Sequence, residues 1–388
     1  MRTVGVITGS RSDYGIYLPL LRGIQRDSSL DLLLFVTGSH PISGPEAPAF
    51  EQDGFQVSAT VELSGSSDSP QAMAESMGTG TIGFSRVFDR VRPDVLVLQG
   101  DRFEMHAAAV AAAAFNIPIA HMHGGEITEG AIDDAFRHSM TKLSHLHFVA
   151  NEKYRRRVIQ MGEEPWRVVV SGAPSLENIH TMSLLDREEW ESQTGFDLSG
   201  PVLLVTFHPV TLESDQTGWQ VAQMLDGIKA SGMPAIFTAP NSDVGGETVR
   251  TAIKEYIDAN SRAHFVESLG TLKYFSLMSL ATCMVGNSSS GLVEAPSFSL
   301  PVVNIGTRQD GRIKAQNVID VGYSSEEIAE GIRRAVGPGF AESLRGLANP
   351  YGDGKASEII LEQLRSSPLD DRLLRKRFYD VTLHGVTT

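Results

Sequence analysis

Apolar residues in the first half of the chain fall in short unbroken runs, Val4–Ile7, Leu32–Val36, Val95–Leu98 and Ile117–Ala120, rather than alternating with polar ones. Between them lie stretches with helical spacing, over 18–26, 72–90 and 104–115. A strand whose two faces are both covered needs such continuous runs, so this rhythm predicts a parallel sheet layered between helices. The rhythm pauses after Val168-Val169-Val170-Ser171-Gly172. A polar helical stretch over 186–194 follows, with Asp186 as its N-cap, and Gly200-Pro201 as a stop. Strand-like runs then resume at 202–206, 235–238, 284–285 and 302–305, separated by helical stretches near 218–231 and 248–259. The economical architecture is α/β, with two doubly wound domains, joined near 180–200, facing each other across a cleft. Asp370–Phe378 reads as a charged helical tail.

Composition narrows the function classes. A length of 388 residues exceeds one hydrophobic core, and 41% hydrophobic content supplies two. The net charge of −14 argues against a general nucleic-acid or anionic-membrane surface but leaves room for a local basic pocket. The single cysteine, Cys283, sits in the apolar run Ala281–Val285 and reads as a buried filler, and no Cys/His pattern has zinc-ligand spacing. No run approaches the roughly 18 apolar residues of a membrane helix. The N-terminus reads as a first strand rather than a signal peptide, so a cytoplasmic protein is expected.

Chemistry concentrates where strands end. Gln99-Gly100-Asp101-Arg102 follows one apolar run, and His121-Met122-His123-Gly124-Gly125-Glu126 follows the next, with Asp133-Asp134 and Arg137-His138 close behind. Carboxylates, imidazoles and guanidinium groups at this edge of an α/β sheet suit proton transfer on an anionic substrate. Gly9-Ser10-Arg11-Ser12-Asp13-Tyr14-Gly15 lets a loop turn tightly and offers the Arg11 fork to phosphate; it is neither the Gly-x-Gly-x-x-Gly fingerprint nor a Walker loop. In the second half, Gly286-Asn287-Ser288-Ser289-Ser290-Gly291 stands between a strand and a helix, where amides and hydroxyls suit a diphosphate. Glu294 has the reach to accept ribose hydroxyls, and Arg308 suits phosphate, whereas Arg312 reads as a surface charge. Asn241, Ser242 and Asp243 form a cleft-side loop or a plain Asx turn. Arg155-Arg156-Arg157 reads as a solvated helix face, and His121 as a support for His123 on the same side of a strand.

Taken in order, Gly-Ser-Arg-Ser-Asp-Tyr-Gly at 9–15, Gly-Asp-Arg-Phe-Glu at 100–104, His-Met-His-Gly-Gly-Glu at 121–126, Ile-Asp-Asp at 132–134, Arg-His at 137–138, Phe-His-Pro-Val-Thr at 207–211, Asn-Ser-Ser-Ser-Gly at 287–291 and Gly-Thr-Arg-Gln at 306–309 resemble the hydrolysing UDP-N-acetylglucosamine 2-epimerases of sialic-acid-type sugar biosynthesis. Each motif is weak alone; the ordered set is specific. The resemblance implies two Rossmann-like domains of glycosyltransferase-B architecture, here 1–180 and 181–365, with a tail, 366–388, returning to the first. It implies a reaction without metal or cofactor on a UDP-linked amino sugar, through a 2-acetamidoglucal, and a homodimer or homotetramer. It assigns Asp101 to acid/base work at the sugar, with Glu126, Asp133 and Asp134 as further candidates, and places His208 at the diphosphate. Arg11, Ser12, Arg102, Arg137, His138, Asn241, Ser288, Ser289, Gly291, Glu294 and Arg308 are the expected substrate contacts. His123 departs from the animal branch, which carries a glutamate there, so the acid/base group is His123 or Glu126. A transferase of the same architecture and a non-catalytic nucleotide-sugar sensor are the alternatives.

Overall fold

The unbroken apolar runs become parallel strands covered on both faces. In a computed structural model, which describes residues 1–38, 50–51, 53–63, 69–129, 132–241 and 244–381 and only the backbone of Arg11 and Ser12, thirteen strands form two sheets. The first holds β1 (Arg2–Thr8), β2 (Leu30–Thr37), β3 (Val57–Val61), β4 (Val95–Gln99), β5 (Ile119–Met122), β6 (Leu146–Val149) and β7 (Val168–Val170) in the order β3-β2-β1-β4-β5-β6-β7. The second holds β8 (Leu203–Thr206), β9 (Ala235–Thr238), β10 (Ala263–Val266), β11 (Cys283–Gly286), β12 (Val302–Ile305) and β13 (Val318–Val321) in the order β10-β9-β8-β11-β12-β13. Each sheet reverses its winding beside its own first strand, at β1/β4 and β8/β11, and there the carboxyl ends of the strands leave a crevice.

Apolar clusters cover both faces of each sheet, and a fifth, with Val149, Tyr154, Ala173, Leu176, Leu292 and Tyr351, lies between the two domains. Strands β3, β10 and β13, which the apolar pattern does not reveal, are sheet edges with partly exposed residues, so no unbroken apolar run marks them. Helix Arg11–Arg26 starts a full two turns before the expected Leu18, because Ser10 caps it by accepting from the Asp13 amide and Pro19 is tolerated inside. Pro19 has no N–H to offer the Gly15 carbonyl four residues earlier; the buried Asn178 Nδ2 donates to that carbonyl instead, at 2.8 Å.

The chain crosses between domains twice, and the two crossings touch. Gly172 (φ +83°) and Gly352 (φ +124°) lie back to back, with the Ala173 amide donating to the Tyr351 carbonyl at 2.7 Å. A Cβ on Gly352 would meet the Gly172 Cα at 2.9 Å, so the crossing needs glycine. After it, helix Ala356–Ser366 buries Ala356, Ile360 and Leu364 in the first-domain core, which puts the chain back on that domain ahead of residue 366.

Among its described residues the tail is helical only over Asp371–Leu374, short of the expected 370–378, because its remaining polar groups are taken by the first domain. The fully buried Arg167 donates to the carbonyls of Leu373 and Arg372 at 2.8 and 2.7 Å. Lys376 donates to the carbonyls of Ser144 and Lys142 and pairs with buried Glu163 at 2.8 Å. Burial pushes the Glu163 carboxyl up, but the hydrogen bond from His147 and the pairing with Lys142 and Lys376 outweigh it and hold it down at about 2. Cys283 is fully buried, and burial pushes its thiol up to about 12, so it is an inert filler.

A carboxyl whose folded value lies below its ordinary 4.5 contributes stability above that pH and loses it as pH falls toward about 2. Glu163→Ala, which leaves His147 and two lysines around an emptied buried position, is expected to destabilise the protein by about 3 kcal/mol at pH 7 in urea denaturation. The difference from wild type should shrink as pH falls below the ordinary carboxylate value.

Candidate active site

The ends of β4, β5 and β12 and the loop after β9 open onto one interdomain cavity of about 230 Å³. Asp101, Arg102, His123, Glu126, Asp133 and Arg137 line it from the first domain, and Asn241, Ser289, Glu294 and Arg308 from the second. The cavity therefore unites most of the residues that the sequence singles out.

Arg137, on helix Asp133–Leu143, is the centre of the first-domain side. Its guanidinium is buried, pairs with the Asp101 carboxylate, reaches Glu126 Oε2 at 3.4 Å and donates to Thr128 Oγ1 at 3.1 Å. Burial pushes the Asp101 carboxyl up, but Arg137 overrides it and holds the group below the ordinary range. Arg102 pairs with Glu104 at 3.3 Å. His123 leaves the strand in the left-handed region (φ +63°), a conformation that costs a histidine about 1 kcal/mol and turns its ring toward Glu126. Its Nδ1 lies 2.8 Å from Glu126 Oε1. Glu126 is driven up by burial, yet the His123 hydrogen bond and the charges of His123, Arg312 and Arg137 bring it down to about 2. An ionised Glu126 accepts the Nδ1 proton and leaves Nε2 of His123 as the free nitrogen.

Several expectations are corrected by this geometry. His121 does not brace His123: it is fully buried and donates from Nε2 to the Gly100 carbonyl at 2.8 Å, fixing the turn that presents Asp101. Asp134 does not line the cavity; it accepts from the Thr128 amide at 2.8 Å, tethering the loop, and His138, also off the cavity wall, faces it with Nε2 at 3.4 Å one turn along the same helix. Asp133 is the member of the pair on the cavity wall. Within the arginine run Arg156 is solvated as expected, but Arg155 donates to the carbonyls of Val168 and Pro165, and Arg157 to that of Gly125, under the Gly-Gly-Glu loop. Side chains of Arg11 and Ser12, and residues Ser242 and Asp243, lie outside the described residues.

On the second-domain side, the residue that the sequence reading undervalued is Asn287. It is fully buried; its Oδ1 accepts from the His208 amide at 2.7 Å and its Nδ2 donates to the His208 carbonyl at 2.8 Å. Its own carbonyl accepts from Gln309 at 2.8 Å and Arg308 at 3.2 Å, so one asparagine fixes three loops. Its position directly after the apolar β11 was the available signal. His208 Nδ1 accepts from the Asn241 amide at 3.0 Å, and burial together with Arg308 keeps the ring well below its ordinary pKa. It is thus neutral, with its remaining proton on Nε2. Gly291 is not in the cavity: its amide donates to the Ser288 carbonyl, and a Cβ there would meet Val302 at 2.8 Å. Ser288 sits behind Ser289, with its hydroxyl toward Tyr274. The helix after the serine loop spans only Ser290–Val293, and its amides are bonded within the turn, so side chains rather than a helix end furnish most donors there.

Domain contacts shape the cavity. Ser175 of the first domain donates to Glu294, whose carboxyl is pushed up by burial. Arg312, expected on the surface, is buried and crosses to the first domain, donating to the Ile127 carbonyl at 2.9 Å and lying 3.4 Å from Glu126 Oε2. Among the described residues no group of three His, Cys, Asp or Glu side chains is placed to hold a metal ion, and no helix is long and apolar enough to cross a membrane.

Two parallel doubly wound domains closing on a cavity that mixes carboxylates, imidazoles and guanidinium groups define a protein of the glycosyltransferase-B type architecture. The chain belongs to the UDP-N-acetylglucosamine 2-epimerase family, which it matches over residues 22–365. It is 36% identical to the UDP-N,N'-diacetylbacillosamine 2-epimerase (hydrolyzing) of Legionella pneumophila, over 97% of this chain and 99% of that protein. It is also 36% identical to the GDP/UDP-N,N'-diacetylbacillosamine 2-epimerase (hydrolyzing) of Campylobacter jejuni, over 82% and 84% of the two chains. The crystal structure of a Neisseria meningitidis UDP-GlcNAc 2-epimerase bound to UDP-GlcNAc superposes with a TM-score of 0.80 at 20% identity, covering 94% of this chain and 99% of that one.

Arg137→Leu strands Asp101 and Glu126 without their shared cation. Urea denaturation at pH 7 should register a loss of about 3–5 kcal/mol. The gap from wild type should narrow at pH 4, because carboxyls no longer held low by a guanidinium take up protons there.

Proposed function

We propose that this chain is a hydrolysing nucleotide-sugar 2-epimerase, which converts a UDP-linked 2-acetamido sugar and water to UDP and the free 2-epimeric sugar. The observation that carries the reading is the single cavity shared by the proton-handling side chains of one domain and the anion-binding loops of the other. The C2 proton of a sugar is weakly acidic, so its removal with departure of the C1 diphosphate requires a placed base, a carboxylate near the developing positive charge at C1, and donors for the leaving oxygens.

The residues divide among these tasks. His123, oriented by an ionised Glu126, is the better base, since the bond to Glu126 engages Nδ1 and leaves Nε2 for the substrate, while Glu126 is held far below the range useful to a base near neutrality. Asp101, kept ionised by Arg137, suits the oxocarbenium-like charge at C1. Arg308, Ser289 and the Nε2–H of His208 suit the diphosphate, and Glu294 the ribose hydroxyls once it exchanges its Ser175 bond for them. Loss of the C2 proton and of UDP leaves a 2-acetamidoglucal; water then adds its hydroxyl to C1 and a proton returns to C2 from the opposite face, with Asp133, on the cavity wall, the carboxylate that activates that water. Full-length similarity to the Legionella pneumophila protein favours a diacetamido-trideoxy sugar of sialic-acid-like biosynthesis as the substrate, in a cytoplasmic homodimer or homotetramer.

Incubation with UDP-N,N'-diacetylbacillosamine and with UDP-N-acetylglucosamine in deuterated water, followed by mass spectrometry, tests the reading. UDP and a free sugar carrying one deuterium at C2 are expected without added acceptor or nicotinamide; transfer of sugar only to an added acceptor would point to the transferase instead. Asp101→Asn and His123→Ala should each lower kcat by roughly 10²–10⁴-fold, whereas Arg308→Ala should act chiefly on KM.

A further inference from the structure

Arg312 has no part in the division of labour above, yet it is the second-domain side chain that enters the first-domain charge cluster. From the loop after β12 it spends its planar fork on three consecutive residues: Glu126 Oε2 at 3.4 Å, the Ile127 carbonyl at 2.9 Å and Thr128 Oγ1 at 3.3 Å. Both partners of the ion pair are almost fully buried, with side-chain exposures of 8% for Arg312 and 3% for Glu126. The neighbouring residues dock as firmly. Gly311 lies so close to Glu129 that a Cβ would meet its Oε1 at 2.6 Å. The Ile313 amide donates to the Tyr154 hydroxyl at 3.3 Å, and the Ile313 carbonyl accepts from that of Tyr351 at 2.9 Å.

Charge balance makes the crossing informative. Asp101 and Glu126 are two carboxylates that share the buried guanidinium of Arg137 within their own domain. A second guanidinium, that of Arg312, arrives from the other domain. Burying two carboxylates around one guanidinium is costly, and the cost falls when Arg312 enters.

We infer that Arg312 is a positioning residue that completes the setting of Glu126 on domain closure, so that the His123–Glu126 pair is aligned for proton transfer only around an enclosed substrate. This rests on the assignment of that pair under the proposed function. With the domains apart, Glu126 keeps His123 and Arg137 but loses the fork that also pins Ile127 and Thr128. The groups facing Glu126 are His123 and Asp101 from the strand ends, Arg137 from its helix, Arg312 from the opposite domain, and the Tyr154 and Tyr351 hydroxyls behind it. Removing one cation from this set lets burial raise the carboxyl from its value of about 2.

The test uses the full chain with Arg312→Ala and Arg312→Lys. Steady-state turnover of the UDP-amino sugar should show kcat lower by roughly 10²-fold in Arg312→Ala, with calorimetric affinity for UDP unchanged and the low-pH limb of kcat moved toward neutrality. Arg312→Lys keeps the charge without the fork, so the limb should return while kcat recovers only in part. Hydrogen exchange over 124–129 should quicken in Arg312→Ala. Wild-type kcat and exchange in that variant would overturn the inference, as would a fall of kcat, UDP affinity and melting temperature together, which marks a merely structural role. A wild-type protein inactive on every UDP-amino sugar would defeat the proposed function, and the exchange comparison, run with UDP alone, would then decide the positioning role separately.

Discussion

A guanidinium buried among carboxylates is the constraint on which the rest of this molecule turns. Arg137 cannot shed its proton and cannot reach water, so the chain must bring acceptors to it. Asp101 from the end of β4, Glu126 from the loop after β5 and Thr128 beyond it meet that requirement. The end of β4, the loop after β5 and the helix that carries Arg137 are thereby pinned at the same carboxyl edge of the sheet. The pairing also sets their chemistry, since carboxylates held this low stay ionised and hand the proton-accepting task to the imidazole beside them.

The second domain solves a different problem with neutral groups. Asn287 meets the amide and carbonyl of His208 with its side chain and ties Arg308 and Gln309 with its own carbonyl, so neutral amide groups set the anion-binding side chains. The contrast between a rigid ion cluster on one side and a rack of donors on the other matches a reaction whose proton moves at the sugar and whose negative charge departs with the diphosphate.

Much of this was legible in the order of residues. Central strands show as unbroken apolar runs because parallel sheets bury both faces, and residues at their ends form the cavity because strands in such a sheet all point the same way. Edge strands such as Val57–Val61 escaped because a half-exposed strand carries no such run. Partnerships were less legible than positions. Asp133 and Asp134 are adjacent in sequence, but one faces the cavity and the other holds a loop amide, a distinction made by their places at the start of the helix rather than by residue type. Arg312 looks like any surface arginine until the opposite domain is in place, since its acceptors lie more than 180 residues away along the chain.

The paired crossings at Gly172 and Gly352 have a mechanical meaning. Lobes joined by one strand can twist and wander, but two strands bound side by side, and bonded through Ala173 and Tyr351, act like the two knuckles of a door hinge. Bonded crossings of this kind favour a swing about the one line they share over a free twist. A cut in either connecting strand alone would leave the lobes joined, yet free to rotate out of that line.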